Sequence, residues 1–189
     1  MATDVWGLLA EEQRPAWSFV PLDRVGPLAF GMTHEQVSVA VHGVLRVDFS
    51  AGCPGNEKWA VFSHAPSPGP SFSGPAVTTY YDASTRLAGI AVDALRGPQV
   101  FLDGMRLVGQ TPSRLEDRFT EYLEALGRKG QYSQAADPCS ASLGLVLRVQ
   151  RAGDFVLSRP VMVATSWADR CWDTSESRIP QEEWRTYAA

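Results

Sequence analysis

Apolar residues along the chain follow two rhythms: a three-to-four spacing that predicts helix and a strict alternation that predicts strand. Near the start, Thr3 is positioned to cap a helix carrying Val5, Leu8 and Leu9 on one face, with Gly7 weakening it and Pro15 ending it. Short extended segments are expected at 17–22 and 27–30. Thr33-His34-Glu35-Gln36 then forms a capping box, Thr33 as cap and Gln36 reaching back from the third helical position. The helix it opens has Val37, Ala40 and Val41 on one face and ends at Gly43. From Val44 the period drops to two, so Leu45, Val47 and Phe49 alternate with Val44, Arg46 and Asp48 as in a half-buried strand. A second strand is expected at 58–62, and 76–81 with 87–92 form a hairpin around Asp82-Ala83-Ser84-Thr85. The Pro/Ser/Gly-rich stretch 63–75 reads as a long loop or linker.

The second half repeats the order. Extended segments at 100–102 and 105–108 flank the turn Asp103-Gly104. Thr111-Pro112 is a cap followed by proline at the first helical position. Leu115, Phe119, Tyr122, Leu123 and Leu126 then make the clearest amphipathic stripe in the chain, closed by Gly127. Strands follow at 143–149, 155–157 and 161–164. The tail holds Trp167, Trp172 and Trp184, with Pro180 opening a last short helix.

In each half a strand leads through Gly-x-Thr (Gly31-Met32-Thr33, Gly109-Gln110-Thr111) into a helix, a glycine and antiparallel strands. The expected fold is α+β, mainly antiparallel sheet with helices on one face. It divides into two tandem helix-plus-sheet modules, 1–96 and 97–189, or forms one continuous domain. Whether the two halves are a duplication or share only the local grammar of helix starts is left open.

Composition narrows the class. The 189 residues, 44% of them hydrophobic and 20% charged, suit a globular chain with a core of its own. Seventeen basic against 21 acidic residues give a net charge of −4, which argues against a nucleic-acid binder. No apolar run approaches a membrane span, and no basic leader precedes an apolar stretch, so a cytoplasmic protein is expected. Lys58 and Lys129 are the only lysines; with 16 Gly and 13 Pro, this arginine bias points to a GC-rich bacterial genome. Cys53, Cys139 and Cys171 are odd in number and widely spaced, which predicts free thiols.

The run Phe30-Gly31-Met32-Thr33-His34-Glu35-Gln36-Val37, ending at Gly43, resembles the F-G-M-T-x-E-x-V helix start of BamE-like lipoprotein domains. It is similar, too, to the tandem modules of beta-lactamase-inhibitory proteins and to openings in small bacterial immunity proteins. The chain departs from these families in having neither a lipobox cysteine nor close cysteine pairs. The resemblance implies an α+β fold and a protein-binding role, with a toxin or enzyme neutralised by occlusion.

Catalytic patterns are missing. His34-Glu35 opens a zinc-protease signature, but Ser38 stands where the second histidine belongs. No phosphate loop or G-x-S-x-G elbow occurs, so no catalytic residue, metal or cofactor is assigned. A Cys–His pair formed in space involving Cys139 or Cys171 stays open. Tyr80 and Tyr81 adjoin in one strand and must face opposite sides, one toward the core and one outward. Trp59, Tyr80, Asp169 and Trp172 are the candidate partner-binding residues, since exposed aromatics beside carboxylates make good anchors. The expected function is a cytosolic immunity- or inhibitor-like protein; the alternative is a small enzyme or ligand-binding protein with a site between the modules.

Overall fold

The computed structural model of the chain describes residues 6–65 and 74–186. Thr3 and Val5 of the expected first helix lie outside them, as does most of the Pro/Ser/Gly-rich stretch. Within them Leu8 and Leu9 are not helical, and a single 3-10 turn, Glu11–Gln13, precedes Pro15. Arg14 fastens this segment by donating to the carbonyls of Leu9, Ala94, Leu95 and Gly97 at 2.7–3.2 Å.

The fold is α+β. Strands β1 (Ala16–Val20), β2 (Arg24–Val25) and β3 (Leu28–Ala29) precede helix α1 (His34–Ala40). Next come β4 (Leu45–Cys53), β5 (Asn56–His64), β6 (Pro75–Tyr81) and β7 (Leu87–Val92). The second half holds β8 (Gln99–Leu102), β9 (Met105–Arg106), α2 (Pro112–Ala125), β10 (Gln131–Tyr132), β11 (Pro138–Ser140), β12 (Leu145–Ala152) and β13 (Phe155–Val163). Two short helices, α3 (Thr165–Ala168) and α4 (Gln181–Thr186), finish it.

Eight strands form one antiparallel sheet in the order β10-β11-β12-β13-β7-β6-β5-β4. Each half thus runs helix then four-stranded meander, and the two meanders join last strand to last strand, Val161 opposite Ala91 and Val163 opposite Gly89. A smaller sheet, β3-β2-β1-β8-β9, contains the parallel pair β1–β8. Both sheets draw strands from the 1–96 and the 97–189 segments.

The large sheet separates two cores. On one side Val37 and Val41 from α1, and Leu115, Phe119 and Leu123 from α2, pack with the small sheet against Phe62, Ile90, Leu145 and Met162. On the other side the C-terminal segment 164–186 lays Trp167, Cys171, Ile179 and Trp184 over Ala88, Ala91, Val146, Val161 and Val163. Gly89 makes the seat for Trp167, since a Cβ there would lie 3.1 Å from the indole Cζ3.

Alternation fails in β4. The register slips between Val47 and Phe49, so Asp48 is a bulge. The inserted residue turns Val47 toward the face of its partner Phe62 and Phe49 toward that of Val61. Only Leu45 is buried, while Val47 and Phe49 are 40% and 55% exposed.

The two helix starts differ as well. Thr33 closes a full capping box, accepting from Gln36 N at 3.3 Å while Gln36 Oε1 accepts from Thr33 N at 2.9 Å. Thr111 makes no side-chain cap bond, and Pro112 alone sets the entry of α2. Thr33→Ala should therefore cost about 1 kcal/mol and Thr111→Ala only a few tenths. Leu115→Ala, emptying a 2%-exposed site, should cost about 2–5 kcal/mol. Urea unfolding of the three variants tests that order.

Candidate functional site

Three settings carry polar or reactive chemistry: a buried charge cluster beneath the tail, the cysteines and histidines, and an open cleft at one end of the large sheet.

Arg148 on β12 and Arg159 on β13 are register partners, so both guanidinium groups rise side by side from the same face. Neither reaches solvent, at 3% and 0% exposure. Glu183 of α4 descends between them, wholly buried. Its carboxylate accepts from Arg159 Nε at 2.8 Å and from the second Arg159 nitrogen at 3.0 Å, a two-point pairing. It also accepts from the Tyr80 hydroxyl at 2.5 Å and from Arg148 at 3.4 Å. Arg148 further donates to the backbone carbonyls of Glu183 and Trp184 and stacks 4.9 Å from the Trp184 ring centroid. Asp137 stands 3.8 Å from Arg148 and Asp93 stands 3.9 Å from Arg159, the latter tied to Gln150 at 2.8 Å.

Burial alone would push the Glu183 carboxyl upward. The charge and hydrogen bonds of Arg159, with Tyr80 and Arg148, outweigh it and hold the group below its ordinary range. Asp137 shows the opposite balance: burial raises it despite Ser133 and Arg148. Glu183 is thus an ionised carboxylate saturated with donors, and its chemistry is that of a fastening between tail and sheet.

Tyr80 is accordingly not an exposed anchor. It faces the tail side, 3% exposed, and its hydroxyl is committed to Glu183, while Tyr81 is buried on the opposite face. Both neighbours are buried because the tail covers the face that the pattern leaves outward. Asp169 is exposed just past α3, and Trp172 is half-buried against the tail cluster. Asp173, four residues beyond Asp169, is buried in a turn. N–H groups of Ser175 and Glu176 bond its carboxylate and hold it below the usual range.

None of the three cysteines is bridged. Burial pushes the Cys139 thiol up to about 12 and the Cys171 thiol to about 11, leaving both protonated and unreactive. The histidines engage elsewhere. His34 Nδ1 lies 3.0 Å from the Tyr81 hydroxyl, and His64 Nε2 donates to the Arg96 carbonyl at 2.6 Å. His34 is half-buried, and His64 ends β5. Among the described residues no group of three His, Cys, Asp or Glu side chains is placed to hold a metal ion.

Trp59 is the sequence candidate with an open setting. It is half-buried on β5, its ring centroid 5.2 Å from that of Phe49. Together with Glu57, Lys58, Trp167, Arg178 and Glu182 it lines a cleft of about 570 Å³ where the tail stops short of β5. Neither Asp169 nor Trp172 lines it. Phe49 was not identifiable from sequence because strict alternation assigns it to the core; only the bulge exposes it. Arg148, Arg159 and Glu183 leave no local signal, because their partners lie on different elements.

Two outcomes are expected. Glu183→Gln removes the carboxylate that, among the described residues, pairs both arginines, and should cost about 3–5 kcal/mol in urea unfolding at neutral pH. Because Glu183 sits below its unfolded value of 4.5, its contribution is complete above that pH and is lost as the pH falls through the lower folded value. The acid side of the stability curve should thus be shallower in the variant; Asp137, raised by burial, acts oppositely but is common to both proteins. In the native state, an alkylating reagent should modify exposed Cys53 rapidly and the other two thiols only after unfolding, as peptide mass spectrometry would read. No protein-family model, curated protein or solved structure matches the chain.

Proposed function

We propose that the chain is a cytoplasmic protein-binding module of the immunity or inhibitor kind, which occludes a partner protein through the open end of its large sheet. The observation that carries this reading is the Phe49–Trp59 ring pair beside the cleft. It offers two aromatic side chains and carboxylate and cationic neighbours on a rigid strand pair. Strands hold such anchors with little entropy to lose on binding, and the charged rim of Glu57, Lys58, Arg178 and Glu182 supplies the polar border of a protein interface. The helix start at Phe30 to Val37 and the twofold run of helix and meander favour the same kind of protein by resemblance. Asp169 and Trp172 remain candidates for a second contact on the tail.

A small-molecule reading has one observation in its favour. A cavity of about 350 Å³ between the end of α2 and β10–β11 has Phe119, Leu123 and Cys139 as its floor and Arg128 and Lys129 at its border. It lies within the second half rather than between the halves. Its lining polar side chains, Thr120, Glu124, Arg128, Lys129, Gln131 and Tyr132, are all exposed, so it offers little to orient a substrate.

Co-expression with the product of the reading frame adjacent to its gene, followed by size exclusion, tests the binding reading. Co-elution is expected, with Trp59→Ala or Phe49→Ala weakening binding by about tenfold or more. Tyr80→Phe, altering only a buried hydroxyl, should leave affinity unchanged. Failure to co-elute, or full affinity in both aromatic variants, would overturn the reading.

A further inference from the structure

We propose that two copies of the chain join edge to edge through β4, in an antiparallel pairing with its twofold axis at Val47. The strand is the outer member of the large sheet and runs for nine residues, whereas the opposite edge, β10, has two. Among the described residues nothing pairs with its outer side, and Arg46 through Ser50 are all exposed. A long unpaired edge is a template for another strand, and natural edges are commonly blocked by charges and bulges. Here the bulge at Asp48 limits the regular edge to the residues around Val47, and over that short stretch the charges select a partner.

Arg46 and Asp48 flank Val47 with opposite signs. Arg46 is the register partner of Ser63, and the Asp48 carboxylate accepts from the Ser63 hydroxyl at 3.1 Å, so both charges stand on the same face. With the axis at Val47, Arg46 of each copy falls opposite Asp48 of the other, giving two cross-strand ion pairs around a Val47–Val47 contact. Other registers lose this. An axis at Arg46 or at Asp48 sets that residue against itself, and a parallel in-register pairing sets both like charges face to face. The edge is therefore complementary to itself in one arrangement. Val47 and Val44, 40% and 44% exposed, would be covered along with it.

A twofold axis perpendicular to the sheet keeps each face continuous, so a sheet of sixteen strands results and the two Phe49–Trp59 pairs lie on one face. The edge shares Phe49 with the partner-binding reading, since Phe49 is on β4, whereas Trp59 is on β5 and outside the edge contact, so Trp59→Ala separates the two.

Light scattering coupled to size exclusion over a concentration series, on the full chain, tests it. A dimer is expected. Arg46→Asp and Asp48→Arg should each weaken it by about tenfold or more, by placing like charges opposite one another. The double exchange should restore it. An equal mixture of the two single variants should form a dimer that neither forms alone, because each then presents what the other lacks. Circular dichroism and thermal unfolding like those of the parent establish that the variants fold, and Trp59→Ala should leave the dimer intact. A parent that stays monomeric throughout, or a dimer unmoved by the exchanges and the mixing, overturns the proposal.

Discussion

Two arginines directly opposite each other on neighbouring strands cannot both be buried without an anion between them. Arg148 and Arg159 stand in that relation, and Glu183, carried by the short helix α4, is the anion. Like charges at this separation inside a protein repel by several kcal/mol, and desolvation adds to the cost. The tail must therefore close over the sheet for the sheet itself to be tolerable. A six-residue helix such as α4 has little stability of its own; the carboxylate at its third position and the indole of Trp184 hold it in place. From this one requirement follow the burial of Tyr80, the seat at Gly89 and the limits of the cover.

Those limits divide the tail side of the sheet into two regions of different character. Beneath 164–186, apolar contact is continued by a buried polar network of Arg148, Arg159, Glu183 and Tyr80. Beyond it, β4 and β5 keep side chains that a closed core would have enclosed. The opposite face has no such division, because α1, α2 and the small sheet jointly fill it. The asymmetry leaves Phe49 and Trp59 reachable at the β4–β5 corner, which is the setting the proposed binding role rests on.

The sequence was most legible where local spacing decides structure. The capping box at Thr33, the stripe from Leu115 to Leu123 and the β6–β7 hairpin depend on neighbours within a few residues, and each forms where the pattern places it. Thr111 shows the limit of such grammar: a residue type suited to capping makes no cap bond when proline already fixes the first turn. The bulge at Asp48 was invisible because one inserted residue leaves the alternation on paper unchanged while turning Phe49 to the other face. Trp59 could be singled out as an aromatic on a strand, but Tyr80 carried the same signal and is buried, the difference being a helix that arrives 103 residues later. Long-range charge pairing has no periodicity, so the Arg148–Arg159–Glu183 cluster had no trace in the pattern.

The meeting of the two meanders at their last strands bears on how the chain is made. As the ribosome releases the first half, β7 can pair with β6 but not with β13, which is completed only at Val163. Leu87, Ile90 and Val92 on one face, and the small residues awaiting Trp167 on the other, thus belong to a strand with one bare edge during the synthesis of some seventy further residues. Sheet pairing over such separations is slow relative to local structure, and an exposed apolar edge invites intermolecular pairing meanwhile. The nascent first half is therefore the form in which this protein most needs a chaperone, and slow translation of the second half would lengthen that window.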